Sequence, residues 1–161
     1  KRGEFHPKTW DINAVIREVI TLVHSDAVIR NVSVHLDLVE ELPPVLGDRI
    51  QIQQVLLNLI INGLDAMSDI HQKPLDLMIK AEYESNKEVK VSVADSGTGI
   101  EPDQMLLIFE PFHTTKAGGM GMGLAISYNI IRSLGGKIWF ETEVNKGTTF
   151  FVQLPVIVEK S

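Results

Sequence analysis

Residues 54 to 67, QVLLNLIINGLDAM, decide the fold of this chain, because the stretch is apolar enough for a buried helix yet carries polar residues on one side. On a helical wheel at about 100° per residue, Asn62 lies about 40° from Asn58, and Asp65 lies about 20° to the other side. The polar face contains Gln51, Gln54, Asn58, Asn62 and Asp65. The rest of the circumference contains Ile52, Val55, Leu56, Leu57, Leu59, Ile60, Ile61 and Leu64. The pattern predicts a helix that is buried on nearly every side and has one polar stripe.

The polar stripe has two interpretations, and the helix alone leaves both open. It is either the solvated side of a core helix or a face that binds a ligand. An asparagine carbonyl is a hard oxygen ligand suited to Mg²⁺, and the asparagine amide can donate to phosphate. Residues elsewhere in the chain must decide between the two.

The apolar periodicity outside this helix predicts a two-layer α+β domain. The predicted helices are residues 12–29, a second from a cap at Asp48 to about Ser68, and a third at 124–134 that ends at Gly135 and Gly136. The predicted strands are residues 32–38, 75–83, 89–95, 137–142 and 148–156, and residues 42–48 are predicted to be a loop. The first helix has Asp11 as its cap and a buried stripe of Ile12, Val15, Ile16, Val19, Leu22 and Val23.

Length and charge limit the kind of protein this can be. The 161 residues predict a single domain, 1–161, with its core at about 10–155. The net charge of −6 and the lack of a Lys/Arg cluster argue against nucleic-acid binding. No apolar run is long enough to span a bilayer, so we expect no membrane contact by this domain and a cytoplasmic location. The absence of cysteine excludes disulfides and thiolate metal sites.

Asp95 is a carboxylate at the end of an otherwise apolar strand. Val89, Val91 and Val93 share one side of this strand, and Asp95 continues their alternation, so it is predicted to point to the same side. It either opens a turn before Gly97 or accepts a hydrogen bond from a ligand donor such as an exocyclic amine. In the second case, a carboxylate favours adenine over guanine, because guanine has a carbonyl oxygen where adenine has its amine. Gly97 and Gly99 would let the backbone approach a flat ring closely.

A cluster of glycines precedes the last predicted helix, in TTKAGGMGMGLAIS at residues 114–127. It matches neither the Walker pattern nor the dinucleotide fingerprint. Gly118, Gly119, Gly121 and Gly123 expose backbone amides at a helix N-terminus, an arrangement that binds phosphate. Lys116 supplies the local cation that an acidic chain needs to bind a polyanion.

Five blocks in order resemble the ATP-binding catalytic domain of sensor histidine kinases, within the superfamily of DNA gyrase B, Hsp90 and MutL. QVLLNLIINGLDAM resembles the N box of that family, DSGTGI its first glycine box and FEPFHTTK its F box. GGMGMGLAIS resembles the second glycine box, and NKGTTF resembles the last one. The resemblance covers roughly residues 10–155 and implies the Bergerat fold, a mixed sheet of about five strands with about three helices on one face.

The resemblance also implies ATP and Mg²⁺ as cofactors and a role for each matching residue. Asn62 would bind Mg²⁺, Asn58 would contact phosphate or the metal shell, and Asp95 would accept from the adenine amine. Either Thr148 or Thr149 would lie near the base. The residues implied in catalysis are Asn58, Asn62 and Lys116. The residues implied in nucleotide binding are Asn58, Asn62, Asp65, Asp95, Gly97, Gly99, Ile100, Lys116, Gly119, Gly121, Met122, Gly123, Leu124, Thr148 and Thr149. Many relatives have a lysine or arginine at the position of Asp65, so the role of that carboxylate stays open.

Asn58 separates the branches of the superfamily. Hydrolytic members carry a glutamate at this position to activate water, whereas an amide is no general base. The resemblance therefore implies transfer of the γ-phosphoryl group to a histidine on a separate dimerisation domain, in a two-component sensor kinase that also acts on a response regulator receiver domain. None of the five histidines lies in the sequence context of that acceptor, so we expect the acceptor domain outside this chain. A slow ATPase switch of the gyrase or Hsp90 type, or a non-catalytic nucleotide-binding module, are the alternatives.

Overall fold

The computed structural model describes residues 8–84, 87–111 and 123–156. Alternating apolar residues along five of its strands form one mixed sheet. The helices are α1 (Ile12–Ile29), α2 (Arg49–Ala66) and α3 (Gly123–Ser133), with a short 3-10 helix at Pro102–Gln104. The strands are β1 (Lys8–Trp10), β2 (Val32–Leu38), β3 (Val45–Gly47), β4 (Leu75–Glu84), β5 (Glu88–Asp95), β6 (Lys137–Glu143) and β7 (Gly147–Pro155).

The main sheet has the strand order β2-β4-β5-β7-β6. β2 pairs with β4 in parallel, and the other pairs are antiparallel. Alternate residues of β5 and β7, such as Val91 and Val152, are fully buried on the side that carries the helices. The predicted α+β sandwich, with a mixed five-stranded sheet and three helices, is confirmed.

Side-chain caps and a left-handed glycine set the helix ends close to their predicted positions. Asp11 and Asp48 each accept a backbone N–H of the first turn, from Asn13 at 3.0 Å and from Ile50 at 2.8 Å. Gly135 follows α3 with φ +78°, the left-handed conformation expected after a helix C-terminus.

The burial predicted for two apolar residues is wrong. Leu22 is 63% exposed, because on a helical wheel it lies at the margin of the α1 stripe. Ile61 is 36% exposed, because on a helical wheel it lies about 40° from Asp65, beside the polar stripe. Every other member of the α1 stripe is buried.

The predicted loop at 42–48 is wrong in part, because Val45–Gly47 forms β3. Its antiparallel partner is β1, and the Trp10 indole N–H donates to the carbonyl of Gly47 at 3.0 Å. Such a short strand exists only through pairing with a distant segment, so the local sequence carries no alternation to detect. Among the described residues, none of the helices combines the length and hydropathy that a membrane span requires.

Candidate functional site

Asp95 lies at the end of β5, half-buried against α2, on the side that its alternation predicted. Its Oδ1 accepts the backbone N–H of Gly97 at 2.8 Å and that of Thr148 at 3.3 Å. Burial raises the pKa of Asp95 to about 6, against the lowering effects of these two hydrogen bonds and of the Lys73 charge. Both backbone amides bind Oδ1, and the other oxygen, Oδ2, lies close to Gly63 of α2.

Gly63 lets Asp95 approach α2. A Cβ on Gly63 would lie 2.9 Å from Leu77 Cδ1 and 3.7 Å from Asp95 Oδ2, so any larger residue would require the buried Leu77 side chain to shift. Gly63 is the residue after Asn62, and its position therefore brings the end of β5 beside the polar stripe of α2.

Gly97 and Gly99 allow close approach, as predicted, but the groups they approach in this structure are parts of the chain itself. A Cβ on Gly97 would lie 2.6 Å from the carbonyl oxygen of Ala66, at the end of α2. Gly99, at φ +78°, would bring a Cβ into the carbonyl of Glu143 in the β6–β7 hairpin. The two glycines thus hold the loop after β5 between α2 and the hairpin.

Asn58 ties α2 to the start of α3. Its Nδ2 donates to the carbonyl of Gly123 at 3.2 Å and to Ser127 Oγ at 3.3 Å. Ser127 is fully buried, and Gly123 lies in ordinary contact with the Asn58 side chain. Asn62, one turn further along α2, is half-buried. Asn58 therefore lies where the glycine cluster joins α3.

Asp65 lies at the edge of the stripe and binds a cation from α1. Its Oδ1 is 2.9 Å from Nη1 of Arg30, the C-terminal cap of α1. Arg30 Nε also binds Asp26 Oδ1 at 2.9 Å, so one guanidinium joins two carboxylates. The carboxylate that the sequence left without a role thus connects the ends of two helices.

Thr148 rather than Thr149 belongs to the Asp95 network. Thr148 is buried on the helix-facing side of β7, with its amide on Asp95 and its hydroxyl 2.8 Å from Thr142 Oγ1. Thr149 is the next residue along the strand and points to the opposite face of the sheet. Ile100 joins the same network, because its backbone N–H donates to Thr142 Oγ1 at 2.9 Å.

The predicted phosphate-binding residues are divided between the described and the remaining parts of the chain. Gly123 and Leu124 begin α3, and Leu124 packs against the core. Lys116, Gly119, Gly121 and Met122 lie outside the described residues. Among the residues that the structure describes, no group of three or more His, Asp or Glu side chains is arranged to hold a metal ion. An Mg²⁺ ion that takes most of its ligands from phosphate and water needs no such group, so the chemistry of Asn62 fits it.

Sequence reasoning missed several residues of this site. Gly63 was hidden because its requirement comes from Leu77 and Asp95, which lie on other elements. Ser127 and Thr142 act through hydrogen bonds to predicted site residues, and nothing in their own neighbourhood marks them. Lys73 donates to the carbonyl of Asn145 at 3.2 Å and lowers the pKa of Asp95 by its charge.

Comparison with known proteins places these features in a family context. Residues 47–157 match the family model described as histidine kinase-, DNA gyrase B-, and HSP90-like ATPase. Sensor histidine kinase ZraS of Escherichia coli K12 is 38% identical over 150 residues, which is 93% of this chain and 31% of ZraS. Sensor protein FixL of Bradyrhizobium diazoefficiens is 36% identical over 158 residues, 98% of this chain and 31% of FixL. Sporulation kinase E of Bacillus subtilis is 34% identical over 145 residues, 90% of this chain and 19% of that kinase. The chain thus spans less than a third of the length of each of these relatives.

The solved structures that resemble this chain include histidine kinases, like the relatives found by sequence. The catalytic domain of histidine kinase ThkA, in a nucleotide-free form, is 34% identical with a TM-score of 0.83, over 94% of this chain and 97% of that one. Full-length ShkA in complex with AMPPNP is 27% identical with a TM-score of 0.85, over 98% of this chain and 33% of that one. ThkA in complex with the response regulator TrrA is 32% identical with a TM-score of 0.78, over 94% of this chain and 42% of that one.

Proposed function

We infer the function of this chain from its family, because it belongs to the histidine kinase-, DNA gyrase B- and HSP90-like ATPases. We propose that it binds Mg-ATP and transfers the γ-phosphoryl group to a histidine on a separate dimerisation domain of a two-component sensor kinase. In this reaction the bond between the γ-phosphorus and its bridging oxygen breaks, a nitrogen–phosphorus bond forms on the acceptor, and ADP leaves.

The observation that carries the proposal is the position of the Asn58 amide. A hydrolytic member of the family needs a carboxylate here to take a proton from water, whereas the Nδ2 of Asn58 donates to Gly123 and Ser127. These two hydrogen bonds connect the Asn58 amide to α3. An amide cannot take a proton from water, so this position provides no general base for hydrolysis. Transfer to a protein nucleophile therefore fits the site better than hydrolysis of ATP by water.

The nucleotide would lie along the polar side of α2, with its base at Asp95 and its phosphates towards the start of α3. Oδ1 of Asp95 is occupied by two backbone amides, which leaves Oδ2 to accept the exocyclic amine of adenine. Asn62 would hold Mg²⁺ through its carbonyl oxygen, and the ion would offset the charge of the triphosphate. Lys116, Gly119, Gly121 and Met122 complete the proposed phosphate contacts. Gly123 and Leu124 would also contact the phosphates, and Gly97, Gly99, Ile100 and Thr148 would form the walls around the base.

The partners follow from the same proposal. The acceptor histidine would lie on the dimerisation domain of a longer polypeptide, of which this chain is the catalytic part. That longer kinase would act on the receiver domain of a response regulator. The relatives that it matches are sensor histidine kinases, and ThkA has been solved with the response regulator TrrA. We expect this catalytic part to lie in the cytoplasm.

The test is phosphotransfer in trans. The chain is mixed with γ-labelled ATP, Mg²⁺ and a histidine-bearing dimerisation domain of a related sensor kinase, and the label on the acceptor is measured. We expect label that acid removes and alkali leaves in place, as a phosphohistidine requires. Asn62→Ala should lose Mg-ADP binding in calorimetry and lose phosphotransfer, while its circular dichroism stays unchanged. Gln53→Ala is the matched control, because this partly exposed side chain lies on the same helix but on the side opposite to Asn62.

Each contrary outcome identifies an alternative. Robust steady-state release of phosphate without an acceptor would indicate an ATPase switch. Failure to bind either ATP or ADP would indicate an interaction module that retains only the fold. Unchanged Mg-ADP affinity in Asn62→Ala would reject the assignment of the metal site.

A further inference from the structure

β2 is an edge strand of the main sheet, and half of its backbone groups point away from the sheet. Its partner β4 lies on one side, and none of the described residues forms a strand on the other side. Directly after β2, the N–H of Val39 donates to the carbonyl of Ala81 in β4 at 3.0 Å. Successive residues of a strand turn their N–H and C=O groups to opposite edges, so the odd-numbered residues of β2 face β4. The even-numbered residues face the open edge, and they include Val34, Leu36 and Leu38.

This edge lacks the features that usually keep a sheet edge from pairing. Such edges are normally protected by lysine, proline, a bulge or a very short strand. β2 has seven residues with neither lysine nor proline, and its register with β4 continues through all of them without a bulge. Leu36 is 41% exposed. β6, at the other edge of the sheet, instead carries the exposed charged residues Lys137, Glu141 and Glu143. β2 is therefore the edge that can accept another strand.

We propose that β2 pairs in the antiparallel direction with β2 of a second copy of this chain, about a twofold axis at Leu36. Leu36 of each copy then lies opposite Leu36 of the other, and Val34 lies opposite Leu38. Because these residues turn their backbone groups to the open edge, the register forms about six hydrogen bonds between the strands. The contact is isologous and closed, so it produces a dimer in which the two sheets are continuous.

The exposed side chains of β2 favour this register and identify a second copy as the occupant. His35 and Asp37 are both exposed, and with Leu36 at the axis each lies opposite the other in the partner strand. A ring N–H of histidine can donate to a carboxylate, so the cross-strand pairs are favourable. A slip of two residues in one direction would place the two Asp37 carboxylates opposite each other, and a slip in the other direction would do the same to the two His35 rings. β2 is thus complementary to itself in one register.

The first test is sedimentation equilibrium of the chain over a range of concentrations. We expect a reversible equilibrium between monomer and dimer. Leu36→Lys brings two like charges together at the axis and should weaken the dimer by about tenfold. Its circular dichroism should stay as in the wild type, because the side chain is at the sheet edge. Leu22→Lys is the matched control, since Leu22 is 63% exposed on α1, and it should leave the dimer constant unchanged.

The second test uses single cysteines to measure the register, because the chain has no cysteine of its own. Leu36→Cys should form a disulfide-linked dimer under mild oxidation. Opposite residues of a hydrogen-bonded pair have Cα atoms about 5.5 Å apart, a spacing that a disulfide spans. Val34→Cys and Leu38→Cys should each fail to cross-link alone and should cross-link when the two proteins are mixed, because these positions lie opposite each other.

Three results would overturn the proposal. A wild type that is monomeric at every concentration would leave this edge to a strand of a different protein. Equal weakening of the dimer by Leu36→Lys and Leu22→Lys would show that the copies associate through general apolar surface. Cross-linking of Val34→Cys alone, at the rate of Leu36→Cys, would exclude the register. None of these measurements involves a nucleotide, so their outcome is independent of the proposed function.

Discussion

At the scale of a single residue, Asp95 is held in the folded chain at an energetic cost. Its pKa is raised from 3.8 to about 6, because burial against α2 disfavours the charged form more than the amides of Gly97 and Thr148 and the charge of Lys73 favour it. Well below pH 3.8 the carboxyl group is neutral in both the folded and the unfolded chain, and it costs nothing. Above pH 6 it is ionised in both states, and the full cost of a half-buried charge is present.

This cost predicts a pH-dependent gain of stability in Asp95→Asn. The amide keeps an oxygen for the two backbone donors but carries no charge, so the variant should equal the wild type well below pH 3.8. The difference in free energy of unfolding should grow as pH rises through the interval from 4 to 6, and should reach about 3 kcal/mol at pH 7. Urea unfolding of both proteins without nucleotide, at pH 4.5, 6 and 7.5, measures it. All other carboxylates are common to the two proteins, so a difference that is independent of pH would contradict the burial argument.

The sequence predicted Asp95 and not Gly63 for a physical reason. Alternation along a strand is a local property, and it was enough to direct the Asp95 side chain to the helix side. The need for glycine at position 63 arises from Leu77 and Asp95, which reach α2 only after the sheet has formed. The same holds for Ser127 and Thr142, whose partners lie on other elements. Long-range contacts of this kind leave no periodic signal in a single sequence.

At the scale of elements, the Arg30–Asp65 pair connects the C-terminal ends of α1 and α2. Both side chains are a little over a quarter exposed, at 28% and 27%, so the pair is only partly screened by water. Arg30 also bonds to Asp26 within its own helix, which fixes the direction of the guanidinium. The proposed nucleotide contact of Asp65 would therefore come from a carboxylate whose charge is already offset by α1.

A double-mutant cycle measures this connection. Arg30→Gln and Asp65→Asn should each destabilise the chain, and the double variant should be less destabilised than the sum of the two. The expected coupling energy is about 1 kcal/mol, at the upper end for pairs that remain partly exposed. Arg49→Gln with Glu18→Gln is the matched cycle, since that ion pair also links α1 to α2 but at a more exposed position.

The same cycle, repeated with the affinity for Mg-ADP as its readout, separates the two roles of Asp65. A loss of affinity in Asp65→Asn that Arg30→Gln does not share would support a direct contact with the nucleotide. A coupling energy near zero in urea unfolding would show that the contact contributes nothing to the joining of the two helices.

The helices and the main strands were predicted from sequence because each carries its own periodicity and its own caps. The bounds of α1 agree with the prediction, and α2 begins directly after its predicted cap at Asp48. β1 and β3 were missed because each has only three residues, too few for an alternation to be distinguished from chance. Elements that form only by pairing with a remote segment are observed in the structure, but their sequences carry no periodic pattern from which to predict them.

At the scale of the whole molecule, β1 and β3 form a two-stranded ribbon that is separate from the candidate site. The site draws its residues from α2, the end of β5, the start of α3 and the β6–β7 hairpin. The ribbon instead joins the beginning of the described chain to its end, because Val45 of β3 also forms a bridge with Val156. Trp10 holds the ribbon through its indole bond to Gly47 and through the Arg49 guanidinium, which lies 5.7 Å from the centre of its ring.

This separation predicts that stability and nucleotide binding respond differently to a change in the ribbon. Trp10→Ala removes a half-buried ring and one hydrogen bond, and should lower the free energy of unfolding by about 2 kcal/mol. Trp10→Phe keeps a ring without the donor and should lose about half as much, while Thr9→Ala, at an exposed position of the same strand, should lose little. Under conditions where each protein is folded, all three should bind Mg-ADP with wild-type affinity in calorimetry. A loss of affinity that follows the loss of stability across the three variants would show instead that the ribbon supports the site, and that the two ends of the described chain help to hold the nucleotide-binding face in place.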